Sequence, residues 1–338
     1  IALYDFIILN IFTLIQNCKP EQTSTTIALL ILICLVSFFG NMLVILIIIT
    51  NHQLHSPMYI YIGTLAMIDL ANGIILIPKM LNVILFDALV VAYTACLIQM
   101  YLILNVELME SLLLTLMAID RYVAVVFPLR YPSIVTNKTV WVCVVILIIS
   151  AFSINSSYVF YTNELLFCKT NILPYCFCDY STMVLISCSD NPKFLLLLST
   201  IVITCGMFPF ALILFSYSII GLAALRISSV EGKRKVFSTC LSHLLVVGFF
   251  YIPFMKVFST CLSHILVVGF FYIPFMISYI LPGTGVKLST EAYNTLVIIG
   301  NVVPPMMNPI IYSFRNKEIK GSIYKILSGK KTNPEVSN

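Results

Sequence analysis

Unbroken apolar runs decide what this chain can fold into. Residues 27–50 read IALLILICLVSFFGNMLVILIIIT, with no charged side chain and no polar face. A hydrocarbon layer about 30 Å thick takes roughly 20 mostly apolar helical residues per crossing. On that measure spans are predicted at about 25–50, 57–82, 93–125, 139–160, 194–225, 256–281 and 289–313. With 60% of residues apolar, 10% charged and a mean hydropathy of +1.03, a water-soluble fold is excluded. A closed β-barrel is the only other spanning solution, and its strands would alternate polar with apolar residues. These runs are apolar on every face, so the expectation is an all-α membrane protein, a bundle of seven helices.

Charge supplies the orientation. The loops after the first, third and fifth spans and the tail gather most of the basic residues, among them Arg121, Arg130, Lys138, Arg226 and Lys233 to Lys235. That bias places the tail in the cytoplasm and the N-terminus outside. Residues 1–24 are then an extracellular segment, 25–313 the seven-helix domain and 314–338 a cytoplasmic tail. The net charge of +5 lies in short inter-span loops and carries no nucleic-acid signal. The opening IALYDFIILNIFTLIQ has neither the basic start nor the cleavage site of a signal peptide. It is expected to be a shortened start, or a short helix on the membrane surface. In RNKEIKGSIYKILSGKK, residues Ile319, Ile323, Tyr324 and Ile326 fall near one face among lysines, as suits a helix lying on anionic membrane lipid.

One internal repeat interrupts the pattern. KVFSTCLSHLLVVGFFYIPFM at 235–255 recurs at 256–276 with one change, Leu244 to Ile265. As one helix, 235–281 would measure about 70 Å, more than twice the hydrocarbon thickness, so both copies cannot share a crossing. The second copy, extended to Leu281, has the longer charge-free run and is taken as the sixth span.

Ionisable groups inside a bilayer are costly and are functional candidates by default. Four fall within spans: Asp69, Glu107, Glu110 and Asp120. Asp120 lies about 15 Å below Glu110, near the cytoplasmic face, beside Arg121, which keeps its charge and needs a carboxylate or hydroxyl partner. Glu107 and Glu110 share a helical face, so at least one is expected to be neutral. Glu107, nearer the outside, is read as lining a cavity and setting ligand charge preference toward amines or neutral hydroxylated molecules. Among the cysteines, Cys34, Cys143, Cys205, Cys240 and Cys261 are expected to pack within spans. Cys96, Cys168, Cys176, Cys178 and Cys188 face the oxidising side, where disulfides form and one cysteine is left over. Pro274 and Pro309 each remove a backbone hydrogen bond beside tyrosines, Tyr272 and Tyr312, and mark hinges.

LMAIDRYVAVVFPLRYPSI (116–134), PMYIYIGTLAMIDL (57–70), Gly40-Asn41, KVFSTCLSH and PMMNPIIYSFRNKEIK (305–320) together resemble the odorant receptors of the rhodopsin-like class of G-protein-coupled receptors. The resemblance covers roughly residues 25–325. It implies that Asp120, Arg121 and Tyr122 form the coupling switch, with Tyr217 as an active-state partner of Arg121, and that Asn308, Pro309 and Tyr312 form an NPxxY hinge. It also implies a sodium-linked acid pair, Asp69 and Glu110, and disulfides Cys96 to Cys178 and Cys168 to Cys188, leaving Cys176 spare. The ligand cavity would be lined by Ile103, Leu104, Glu107, Leu108, Ile201, Cys205, Phe275, Tyr279, Ile298 and Asn301. The implied partners are a small organic odorant and an olfactory stimulatory G protein. The implied place is the plasma membrane, and neither a cofactor nor a metal beyond sodium is implied.

The reading is a receptor and not an enzyme. Its rivals are a secondary transporter, disfavoured because the repeat is shorter than a helical hairpin, and the non-functional product of a duplicated gene. Displacing the first copy exposes an apolar stretch beside the G-protein site. Deleting residues 235–255 is therefore expected to raise surface expression, counted by antibody on unpermeabilised cells. An intact chain that is delivered and signals equally well would contradict the displacement.

Overall fold

A computed structural model describes residues 11–14, 23–86, 90–167, 172–173, 178–189, 191–225, 305–310 and 317–327. Both copies of the repeat, the sixth span and most of the seventh lie outside the described residues. So do Tyr272, Pro274, Phe275, Tyr279, Ile298, Asn301 and Tyr312.

The long helices are α1 (Thr23–Thr50), α2 (Pro57–Phe86) and α3 (Tyr93–Val126), then a one-turn α4 (Tyr131–Ile134) and α5 (Asn137–Thr162). A short α6 (Tyr180–Ile186) follows in the second outer loop. The fifth crossing is composite, α7 (Pro192–Ile201), a π-helical segment (Val202–Met207) and α8 (Phe208–Leu225). Residues 305–310 are helical, and α9 (Lys317–Leu327) closes the described chain. Among the described residues, five helices are long and apolar enough to cross a membrane.

Local chemistry sets the boundaries. Thr136 accepts from the Thr139 amide at the start of α5. Asn191 accepts from the Lys193 amide at the start of α7, where Pro192 supplies a first-turn residue with no orphan N–H. α2 runs on through Pro78, four residues beyond the expected end of that span.

Two apolar clusters fill the bundle. The first, around Val44, Ile47, Leu65, Leu113, Leu114, Val144 and Ile213, also takes in Ile319 of α9. The second, around Met100, Leu104, Leu108, Tyr158, Met183, Ile201 and Cys205, lies toward the disulfide. α3 passes through both and packs on α2, α5, α8 and the π segment. Leu32, Phe39, Leu46, Ile146 and Phe215 are exposed on α1, α5 and α8, as suits side chains that meet lipid.

Two features depart from the sequence reading. Residues 11–14 form a strand, β1 (Ile11–Leu14), and not part of a surface helix. It pairs antiparallel with β2 (Val90–Ala92) and parallel with β3 (Ile172–Leu173) in the order β2-β1-β3, with Thr13 opposite both Val90 and Ile172. The buried face of α9 is Ile319 and Ser322, with Ile323 half-buried, whereas Tyr324 is 70% exposed. Ser322 accepts from Asn51 Nδ2 at 2.9 Å, which fastens α9 to the end of α1.

The turn at 305–310 meets α1 at Gly40. A Cβ there would lie 2.8 Å from Cγ of Pro309, and a proline ring has little freedom to yield. Next to it, Asn41 Nδ2 donates to the Pro305 carbonyl at 2.8 Å. Gly40→Val is expected to cost about 1–3 kcal/mol by overpacking, seen as a lower thermal midpoint of the detergent-solubilised chain. An unchanged midpoint would mean that this contact contributes nothing.

Candidate functional site

At one end of α3 the residues of the expected switch are partly brought together. Arg121 Nη2 donates to Asp120 Oδ2 at 2.5 Å, with the Arg121 side chain 14% exposed and that of Asp120 1%. A carboxylate so buried needs further donors, and Tyr131 of α4 supplies one, its hydroxyl 2.9 Å from Asp120 Oδ1. Burial, with the Asp120 carboxylate that it faces, pushes the Tyr131 phenol up, so the hydroxyl remains a donor. Tyr122 stacks edge-on against Phe127, and Tyr217 packs against the first apolar cluster. Tyr131 was missed from sequence, although it stands within the stretch LRYPSI; spacing along a loop gives no warning that a hydroxyl folds back eleven residues.

Midway along the bundle lie two of the other three acids. Asp69 of α2 is wholly buried and Glu110 of α3 nearly so, and each is within electrostatic reach of the other. Asn308 Nδ2 donates to Asp69 Oδ2 at 2.9 Å. Two groups read as separate devices, the acid pair and the NPxxY turn, therefore share a hydrogen bond. Asp69 Oδ1, Glu110 Oε1 and Asn308 Oδ1 are buried with no hydrogen-bond partner among the described residues. Buried acceptors left without donors suit a hard cation.

Toward the other end, α3 presents Ile103, Leu104, Glu107, Leu108 and Ser111 on one stripe, as their spacing requires. Ile201 and Cys205 of the fifth crossing face the same region and are buried. Ser111 Oγ donates to the Cys205 carbonyl at 2.5 Å, inside the π segment. A π turn shifts the backbone pairing by one residue and leaves carbonyls in need of a donor, and the serine supplies one. Glu107 lies within electrostatic reach of Cys205 and of Asp179 in the second outer loop.

Cys96 and Cys178 are bonded, S–S 2.08 Å, with Cα atoms 5.4 Å apart, which ties that loop to the start of α3. The Cys178 amide adds a hydrogen bond to Gln99 Oε1 at 3.2 Å. Cys188 is also in a disulfide, while Cys168, its expected partner, lies outside the described residues. Asp179 and Tyr180, which follow Cys178, were not anticipated as site residues. Among the described residues no three His, Cys, Asp or Glu side chains group as a metal site.

Comparison with known proteins identifies the family. The olfactory receptor family model matches residues 30–258 and again 254–330, the two matches meeting at the junction of the repeat. Human olfactory receptor 13G1 is 33% identical over 327 residues, 96% of this chain and 96% of the relative. Human olfactory receptor 1J1 is 34% identical, covering 92% of this chain and 89% of the relative. Its mouse counterpart is 32% identical over 92% of each. These matches give no support to the transporter reading. With its apolar spans and disulfide, the chain belongs to the olfactory receptor family, seven-helix G-protein-coupled receptors of the membrane and not enzymes.

Proposed function

We propose that this receptor takes its odorant from outside the plasma membrane, at the face formed by Leu104, Glu107, Leu108, Ile201 and Cys205. It then activates a stimulatory G protein of the olfactory type through Asp120, Arg121 and Tyr122. One observation supports the reading: a single helix, α3, bears the disulfide and the buried Glu107 toward one end and the Arg121–Asp120–Tyr131 cluster at the other. A ligand shifts the receptor only by binding one conformation better than the other. A helix common to both ends gives that preference a physical route.

Arg121 keeps its charge in every state, so it must exchange one set of partners for another. In the arrangement described it is held by Asp120. Outward movement of the sixth helix would free it to meet Tyr217, Tyr312 and the G protein. Phe275, Tyr279, Ile298 and Asn301 would complete the cavity from the sixth and seventh spans, with Tyr272 and Pro274 as the sixth-span hinge. Asp69 and Glu110 would hold a sodium ion through their unpaired oxygens, and Asn308 and Pro309 would couple that pair to the turn of the seventh helix. Cys168 to Cys188 is the second outer disulfide. The excess of Lys and Arg in alternate loops and in the tail supports an outer N-terminus, a cytoplasmic C-terminus and contact of α9 with anionic lipid.

Arg121→Ala is expected to reduce odorant-stimulated cyclic AMP to background while surface staining is kept, and full signalling from a surface-expressed variant would overturn the coupling assignment. Tyr131→Phe removes a hydrogen bond to a charged group, worth about 1.5–3 kcal/mol. It should raise ligand-independent cyclic AMP several-fold, whereas unchanged basal output would show that Tyr131 does not hold the resting arrangement.

A further inference from the structure

Building on the odorant-face reading, we propose that Ser111 is a positioning residue for odorant recognition. Its hydroxyl holds the π segment of the fifth crossing, and with it Ile201 and Cys205, in register against the cavity stripe of α3. Ser111 is fully buried and stands one turn beyond Glu107 on that stripe. Its Oγ lies 2.5 Å from the Cys205 carbonyl oxygen, a contact between residues 94 apart in sequence.

The hydroxyl reaches past a nearer acceptor to make this bond. A serine or threonine inside a helix commonly donates to the carbonyl four residues back. Thr64, Thr115, Thr200 and Ser218 each do so, at 2.8–3.0 Å. A serine has a single O–H to donate, and that of Ser111 goes to the other helix.

Pro209 explains why that carbonyl takes a donor from outside its own helix. Proline has no N–H, and its ring crowds the carbonyl four residues back, which here is that of Cys205. The α-helical pairing is therefore denied to Cys205. The backbone takes the wider turn Val202–Met207, in which the Phe208 N–H reaches the Ile203 carbonyl five residues back. One extra residue in a turn rotates the chain on one side of it by about 100° against the other. With the wider turn in place, Ile201 and Cys205 are buried, while Ile203 and Met207 are exposed. Beyond the turn, α8 is anchored by Ile213 in the first apolar cluster. Loss of the wider turn would therefore rotate Ile201, which precedes it, away from α3. The Ser111 bond favours the π form over that alternative.

The test uses the full chain, purified in detergent, as wild type, Ser111→Ala, Pro209→Ala and the double variant. In Ser111→Ala, amide hydrogen exchange should rise about tenfold or more across 202–210 and keep its wild-type rate within α5, because a buried acceptor has lost its donor at that turn alone. Alanine at 209 restores the missing N–H, so in that background removal of the Ser111 hydroxyl should change exchange by less than about twofold. Methyl methanethiosulfonate leaves a methyl disulfide on Cys205 Sγ and releases methanesulfinate. Its reaction with Cys205, followed by peptide mass, should quicken in Ser111→Ala and return to the slower rate in the double variant. Unchanged exchange in Ser111→Ala, a rise shared with α5, or an equal rise with and without Pro209 would overturn the proposal. If Ser111→Ala fails to fold, recovery in the double variant upholds it, and a double variant that also fails overturns it. Exchange that follows the expected pattern while Cys205 stays unlabelled in every variant would uphold the hold of Ser111 on the segment and overturn the odorant-face reading.

Discussion

An ionised side chain cannot be left alone in hydrocarbon, and the described bundle is organised around that constraint. Its within-span carboxylates, Asp69, Glu107, Glu110 and Asp120, all stand on α2 and α3 and are turned into the protein. None is on α1 or α5, whose apolar side chains are largely exposed. A helix bearing three acids is stable in a membrane only if other helices surround it. α3 accordingly packs on α2, α5, α8 and the π segment, and passes through both apolar clusters.

The same constraint accounts for the way polar groups are answered. Asp120 takes donors from Arg121 and Tyr131, Asp69 takes one from Asn308, and the freed Cys205 carbonyl takes one from Ser111. Apart from Arg121, which adjoins Asp120, each donor comes from another segment of the chain, so satisfying these acceptors also holds the helices in register. Asp69, Glu107 and Glu110 each keep one oxygen without a hydrogen-bond partner among the described residues. Asp120, by contrast, is answered on both oxygens. That division follows from the cost of an unpaired buried polar atom, which only a ligand or an ion can then offset.

How much of this was legible beforehand depends on the length scale of each feature. The helices announce themselves because a crossing demands some twenty apolar residues, a signal far above chance. The strands do not, because β1 to β3 are two to four residues long and pair segments distant in sequence. The π segment leaves no mark, since VITCGM reads like any other piece of an apolar helix. Tyr131 was missed for a related reason: it folds a short loop back onto α3, and loop geometry is not written in periodicity. The link from Asn308 to Asp69 spans 239 residues, so it was visible only as two motifs with separate meanings. On α9 the amphipathic pattern was readable, but the face was not: Ser322 is held by Asn51, and Tyr324 is left outward.

The tandem repeat is best understood from what flanks it. After the interval 226–304 the chain returns to a fixed place: Pro309 lies against Gly40, the Pro305 carbonyl accepts from Asn41, and Asn308 reaches Asp69. α9 then docks on the end of α1 through Ser322 and Ile319. These contacts are with α1 and α2, which precede the repeat in sequence and owe nothing to it. The family pattern likewise runs without a break up to the junction of the copies and resumes from it to residue 330. None of these contacts involves the repeat, since each joins residues that lie on either side of it. The inner network of α1, α2, α3 and 305–310 keeps its geometry.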